Sequence, residues 1–269
     1  MPKKNSSFAP GKMILSGEYA VVFGYPGIAV PTHAGVEVTL EETGVSPMEI
    51  VLEGLFEGKA YPRKIVDLCI RTSAGLRPAE RGISTGTLRI NNQIPVGRGM
   101  GSSTALTIAI CRVLLGAENK TQAILVEDLI NPGNSGLDFS VIWANRPVKF
   151  KKGLSPEPLH LDLTFLKNAK LIDTGKPGET TAELVAWMRE REKEVKAHLD
   201  MIGHCTERLL AGEDPMTVIR DHHRAQIALG VVPQAVQELI ANIEKSGGAA
   251  KVLGAGARTG GGGMILVFQ

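Results

Sequence analysis

Three glycines at alternate positions, two serines and then an unbroken apolar run make PVGRGMGSSTALTIAI, residues 95–110, the most constraining stretch of this 269-residue chain. Glycine permits positive φ and close backbone approach, and serine at a helix start caps it or binds a ligand. A structural turn needs fewer such residues. The spacing predicts a nearly all-apolar helix over 104–115. Its free amides and dipole, with inward-pointing amides of Gly97, Gly99 and Gly101, make an anion site, most naturally for phosphate. Ser102 and Ser103 stand at the helix start. The segment lacks the lysine of a Walker A loop, and its glycines lie two apart throughout, unlike a dinucleotide fingerprint. The cation that a phosphate wants must come from elsewhere. Lys12, in APGKMILSGE, is the best-placed candidate.

The rest of the chain reads as mixed α+β in two parts. KMILSGEYAVVFGYPGIAVP predicts two short strands around a turn, and 36–40 and 49–52 continue the extended pattern. A helix opens at Pro62, with Ile65, Leu68, Cys69 and Thr72 at helical spacing, and strand character returns over 82–94, Ile83 included. A short helix over 121–130, the turn NPGNSG and an extended LDFSVIW follow. Polar residues, glycine and proline accumulate without periodicity at 149–158, which sets the seam between 1–158 and 159–269. Beyond it, 159–163 and 169–172 read as strands. Thr180 and Glu183 have capping-box spacing and open one long helix reaching Leu210. Pro215 and Pro233 start further helices, and AAKVLGAGARTGGGGMILVF closes the chain as two strands around a glycine loop.

Several function classes are disfavoured. Thirty basic against 28 acidic side chains give a net charge of +2, and no basic run interleaved with aromatics suggests a nucleic-acid groove. Cys69, Cys111 and Cys205 are dispersed and odd in number, which points to buried thiols in a reducing compartment. No apolar run reaches membrane-spanning length, and the basic N-terminus lacks the apolar stretch of a signal peptide, so the expectation is a cytoplasmic protein. Adjacent His222 and His223 have no partner at i+4, and packing or surface roles are expected of them. The charge run from Arg189 to Lys196 reads as a solvated helix face.

Three carboxylates sit in apolar surroundings: Glu18 in ILSGEYAVV, Glu127 in AILVEDLI and Asp138 in NSGLDFSVI. Each has a plain alternative, with Glu18 paired to Lys12, Asp138 capping its turn and Glu127 facing solvent. Phosphoryl transfer needs a phosphate cradle, a divalent metal on oxygen ligands, a positive group and something to orient the attacking hydroxyl. Magnesium takes few protein ligands. Ser103 and Glu127 supply one oxygen each, while Lys12 and Asp138 cover the remaining roles.

At this point APGKMILSGEYAVVFGYPGIAVP, PVGRGMGSSTALTIAI and AAKVLGAGARTGGGGMILVF resemble, in order, the three motifs of the GHMP small-molecule kinases. The resemblance implies a two-domain fold, the N-terminal domain like the second domain of ribosomal protein S5 and the C-terminal one ferredoxin-like, with ATP and acceptor in the cleft between them. Within the superfamily the chain is most similar to the mevalonate kinases. That implies ATP and Mg2+ as cofactors and the primary hydroxyl of mevalonate as acceptor. It makes Asp138 the catalytic aspartate and Lys12 the active-site lysine. Pro95, Gly97, Arg98, Gly99, Met100, Gly101, Ser102, Ser103 and Thr104 fall around the nucleotide, Ser103 and Glu127 on the metal. Glu18, Tyr19, Asp138, Thr181 and Gly256 fall on the acceptor side. The resemblance leaves room for a homodimer.

The chain also departs from the pattern. Tyr19 stands where many mevalonate kinases carry histidine, and GEYAVV is also the form of phosphomevalonate kinases. Asn131, Pro132, Gly133 and Asn134 replace the usual turn, and Arg258 and Thr259 interrupt the third motif. A phosphorylated acceptor calls for extra cations, for which Arg98, Lys176 and Arg258 are available. Another kinase of the superfamily, a decarboxylase of the same fold acting on diphosphomevalonate, and a nucleotide-binding regulator without turnover complete the alternatives.

Overall fold

The computed structural model describes residues 4–42, 47–73 and 85–269, so Gly82 and Ile83 of the expected strand lie outside the described residues. The chain opens with β1 (Lys4–Ser16), a 3-10 turn at Ala20–Phe23, β2 (Gly27–Glu41) and β3 (Glu49–Gly54). It continues through α1 (Ala60–Ser73), β4 (Thr87–Asn92), α2 (Ser102–Leu115), α3 (Lys120–Ile130) and α4 (Leu137–Ala144). Two short strands, β5 (Val148–Phe150) and β6 (Glu157–Pro158), complete the first sheet. Its order is β3-β4-β2-β5-β6, with β1 antiparallel on β2 and β3 parallel to β4 across α1.

Alternation decides which face is buried. Val36, Val38 and Leu40 of β2 and Leu88 and Ile90 of β4 point into one core, against Ala105, Ile108 and Ala109 of α2. As its composition predicts, α2 is buried on nearly every side, from Thr104 to Leu115.

The second half holds a three-stranded antiparallel sheet, β7-β9-β8, built from β7 (Lys170–Asp173), β8 (Ala249–Val252) and β9 (Met264–Phe268). Between β7 and β8 run α5 (Thr181–Glu190), α6 (Glu192–Leu210), α7 (Pro215–Leu229) and α8 (Gln234–Lys245). The Thr180 hydroxyl accepts from the Glu183 amide and the Glu183 carboxylate accepts from the Thr180 amide, the capping box its spacing predicts. Asp214 caps α7, with Pro215 at the first helical position.

The halves are not packed separately. Leu15, Ile28 and Val30 of β1 and β2 share a core with Cys205 and Leu209 of α6, Val218 and Ile219 of α7, and Leu266 and Phe268 of β9. Apolar burial therefore continues across residue 158. Among the described residues, no helix is long and apolar enough to cross a membrane.

Three local expectations are corrected. LDFSVIW is not extended: it forms α4, opened by Gly136 in the left-handed region at φ 89°. Leu137, Phe139, Ser140, Val141 and Ile142 are all buried, and a helix enclosed on nearly every side has too little polar face to betray its period. Residues 159–163 form no strand; β6 ends at Pro158 and a 3-10 turn follows at Thr164–Asn168. The long helix breaks at Arg191, whose guanidinium lies over the Trp187 ring and pairs with Glu194.

Candidate active site

Glycine conformations shape the cradle that the sequence offers for a phosphate. Gly97, Gly99 and Gly101 have φ of +67°, +77° and +77°, a region that L side chains rarely adopt. Gly101 is the residue before α2, and no side chain caps the helix there. The first turn bonds from the Ala105 amide to the Gly101 carbonyl, which leaves the amides of Ser102, Ser103 and Thr104 unused within the helix. A Cβ on Gly101 would lie 2.9 Å from Lys12 Cγ, and one on Gly99 would lie 2.4 Å from the Leu253 carbonyl oxygen. Gly254 in turn lies against Gly99. The third glycine segment thus packs on the second, backbone to backbone.

Lys12 reaches this cradle from β1, where its amide bonds the Met100 carbonyl at 2.9 Å. Its side chain is 3% exposed, and Nζ stands 3.1 Å from Oδ1 of Asp138, which is 36% exposed. Asp138 occupies the first turn of α4, where the helix dipole favours a negative group. The buried end of the ion pair fixes its geometry, and the open end faces the cavity.

A second polar chain runs beside it. Asn131 Nδ2 donates to Ser103 Oγ at 3.0 Å and to Glu127 Oε1 at 2.9 Å, and the Thr104 hydroxyl donates to the same oxygen at 2.7 Å. The Tyr61 hydroxyl, from α1, meets Ser103 Oγ from the other side. Glu127 does not face solvent; it is 3% exposed, and Oε2 has no hydrogen-bond partner among the described residues. Burial pushes its carboxyl above the usual carboxylate range, with hydrogen bonds from Thr104 and Asn131 working against the shift.

These groups line one cavity of about 740 Å³. Lys12, Gly97, Gly99, Gly101, Ser102, Ser103, Thr104, Glu127 and Asp138 lie on its walls, and so do Glu18, Tyr19 and Thr181. Four expected site residues do not. Met100 is buried in the core, and Pro95 precedes the wall that begins at Val96. Arg98 turns away to pair with Asp173 at 2.9 Å. Gly256, at φ +63°, backs onto the Val231 carbonyl, while its neighbours Gly254 and Ala255 line the cavity.

Glu18 differs in another way. Its carboxylate is 1% exposed and faces neither Lys12 nor open space. It pairs with Lys251 of β8 and approaches His222 of α7 at 3.1 Å, partners more than 200 residues away in sequence. Burial opposes the charge, but Lys251 and His222 outweigh it and hold the carboxyl down to about 2. Burial pushes the Lys251 and His222 pKa values down, with the Glu18 carboxylate working against both shifts.

The sequence reading missed several walls of the cavity. Phe56, Tyr61 and Pro62 form one side, Asn131 bridges Ser103 to Glu127, and Val185 and Arg189 continue the α5 face that begins at Thr181. Asn131 carried a signal, four residues after Glu127 on α3 and directly at the helix end. Lys251 carried one too, as a lysine inside an otherwise apolar strand. Arg258 does not enter the cavity; it stacks over Trp187 at 4.4 Å, and Lys176 pairs with Glu57.

A glycine-serine cradle at a buried helix start, faced by a lysine–aspartate pair in a cleft between two α+β halves, defines the class of GHMP kinases. Consistent with this, the family model "GHMP kinases N terminal domain" matches residues 60–131. A mevalonate kinase of Thermococcus gammatolerans is 32% identical over 307 residues, covering 96% of this chain and 87% of the relative. The chain belongs to the mevalonate kinase family. Its fold matches the Methanococcus jannaschii mevalonate kinase with a TM-score of 0.77 at 21% identity, covering 99% of this chain and 91% of the other. The L. major mevalonate kinase solved in complex with R-mevalonate matches with a TM-score of 0.76 at 17% identity, covering 100% of this chain and 90% of the other.

Proposed function

We propose that this chain transfers the γ-phosphoryl group of ATP to the primary hydroxyl of mevalonate, and that the Lys12–Asp138 pair sits at the reacting centre. The observation that carries the reading is this ion pair, 3.1 Å long, at the open side of the glycine-serine cradle. Family membership supplies the acceptor. Asp138 orients the acceptor hydroxyl and accepts its proton, and Lys12 stabilises negative charge spreading over the transferred group. The amides of Ser102, Ser103 and Thr104 hold the phosphates, with the α2 dipole behind them. The wall of Phe56, Tyr61 and Pro62 suits a nucleobase, and Tyr19 and Thr181 border the acceptor.

Magnesium suits the residues beside the cradle. Oε2 of Glu127, buried and without a partner among the described residues, is an oxygen suited to a cation. Ser103 Oγ, joined to Glu127 through Asn131, supplies a second oxygen. When bound there, the ion neutralises phosphate charge.

Similarity to mevalonate kinases over 96% of the chain favours mevalonate over phosphomevalonate as acceptor. Arg98 and Arg258 turn away from the cavity to Asp173 and Trp187, and Lys176 pairs with the wall residue Glu57; Arg189 lines the cavity beside Thr181 and is the cation a phosphorylated acceptor would meet. Three free, buried cysteines suit a reducing, cytoplasmic setting. Coupled ADP release, measured with mevalonate, phosphomevalonate, diphosphomevalonate and homoserine, tests the proposal. Turnover with mevalonate at least about tenfold better in kcat/KM than with the others is expected. A preference for phosphomevalonate would overturn it.

A further inference from the structure

Among the described residues, Glu18, Lys251 and His222 form a buried polar cluster that the proposed transfer does not use. The Lys251 ammonium lies against the Glu18 carboxylate and donates to the Ile14 carbonyl at 3.0 Å. His222 closes the third side, and all three side chains are 1% exposed or less. A charge group this deeply enclosed is expensive to desolvate, and apolar residues of similar volume hold a core at least as well. Stability alone therefore gives little reason for it.

Its position supplies a reason. Glu18 precedes Tyr19, which is held at φ 61° and ψ −51°, outside the regions a tyrosine ordinarily occupies. Such a backbone persists only where its surroundings over-determine it. Here two ties do so: Glu18 is anchored below to Lys251, and the Tyr19 hydroxyl donates to the Ala255 carbonyl above. Both ties end on β8 or the glycine segment after it, which also packs Gly254 against the cradle at Gly99. The strained turn and the Val21–Val22 pair after it form the cavity wall on the acceptor side.

We propose that Glu18, Lys251 and His222 are positioning residues: a buried latch that sets the Tyr19 turn against the phosphate cradle and so places the acceptor, without touching it. The proposal rests on the acceptor reading above and departs from the direct acceptor contact that the family resemblance implies for Glu18. The two assignments differ in what a second substitution does. If Glu18 contacts the acceptor, removing its charge is harmful whatever stands at 251. If it acts through the latch, the harm comes from leaving one buried charge without its partner.

The test measures acceptor KM, kcat and nucleotide Kd for Lys251→Met, Glu18→Gln, the double variant, His222→Gln and His222→Leu, below each variant's melting midpoint. Lys251→Met is expected to raise acceptor KM by about tenfold or more with nucleotide Kd within about twofold of wild type. The double variant, with no buried charge left unpaired, is expected to recover acceptor KM to within about threefold of wild type. His222→Gln keeps a polar group beside the carboxylate and is expected to change KM by less than about threefold, whereas His222→Leu is expected to raise it by about tenfold; this pair serves if Lys251→Met does not fold, and an unchanged KM in His222→Leu then overturns the proposal. A double variant no better than the worse single one overturns the proposal, as does a change confined to melting temperature. Wild-type turnover of mevalonate separates the two readings: its absence refutes the acceptor, whereas normal wild-type turnover without recovery in the double variant refutes only the latch.

Discussion

Asp138→Asn tests the centre of the proposed chemistry, because the amide keeps shape and hydrogen bonding while removing charge and basicity. Two effects must be separated. The first is on the fold: Lys12, 3% exposed, loses the carboxylate 3.1 Å away. At an effective dielectric of about 20, two unit charges at that spacing attract by roughly 5 kcal/mol. Asp138 is 36% exposed, so water screens much of this, and the net destabilisation expected is about 1–3 kcal/mol. For a domain stable by roughly 5–15 kcal/mol, such a loss leaves nearly all molecules folded. The second effect is on the barrier. Losing a positioned acid–base group costs about 10²–10⁴ in rate, or roughly 3–5 kcal/mol of transition-state stabilisation. The expected outcome is therefore a kcat lowered by about 10²–10⁴, a modestly lower melting temperature and a nucleotide Kd within about threefold of wild type. Coupled ADP release at saturating mevalonate, thermal melts and nucleotide titration measure the three quantities. A variant that keeps more than about a tenth of wild-type kcat would mean that Asp138 is not the base.

Further outcomes follow from the same geometry. Ser103→Ala is expected to raise the magnesium concentration for half-maximal rate by about tenfold. Because Gly101, not Ser103, precedes α2, no helix cap is lost, and stability should fall only by the hydrogen bonds to Asn131 and Tyr61, about 1–2 kcal/mol; an unchanged magnesium titration would remove Ser103 from the metal site. Gly101→Ala forces a methyl group to within 2.9 Å of Lys12 Cγ at a φ of +77° and should lose at least about 1–2 kcal/mol of stability, read by denaturant titration. Acid should act through Glu18: its carboxyl is held down to about 2 against an ordinary 4.5, so its stabilising contribution is complete above 4.5 and is lost as pH falls towards 2. Glu18→Gln should flatten the pH dependence of the melting temperature in that window, and an unaltered slope would show that the carboxylate is not paired in solution.

Most of the site's framework was legible because it is local. An apolar run behind GRGMGSS has to be a buried helix, and glycine before it suits the positive φ that leaves the first amides of α2 unused within the helix. The capping box at Thr180 and Glu183 rests on spacing along one helix, so it too was readable. LDFSVIW was not, because the signal separating helix from strand is a polar face, and α4 has almost none. The break at Arg191 escaped for a related reason: strong helix formers flank it on both sides, and its side chain stacks on Trp187 and pairs with Glu194.

Charge pairing marks the limit of what local sequence can specify. The residues made Lys12, Glu127 and Asp138 candidates for one site and the family resemblance grouped them, but spacing alone could not show that they meet; the folded chain puts all three on one cavity with the glycine-serine turn. Sequence could not assign the cations either, because the partner of a buried charge is whichever opposite group folding brings into the same low-dielectric space. Glu18 was open to pairing with Lys12, yet Lys12 is taken by Asp138, and Lys251 and His222 arrive from β8 and α7. Arg98 lies inside the phosphate motif, but its side chain leaves the cavity for Asp173 on β7. Backbone conformation is set by a few neighbouring residues and can be read from them. The destination of a long charged side chain depends on desolvation and on partners supplied from elsewhere in the chain, and only the folded structure brings those together.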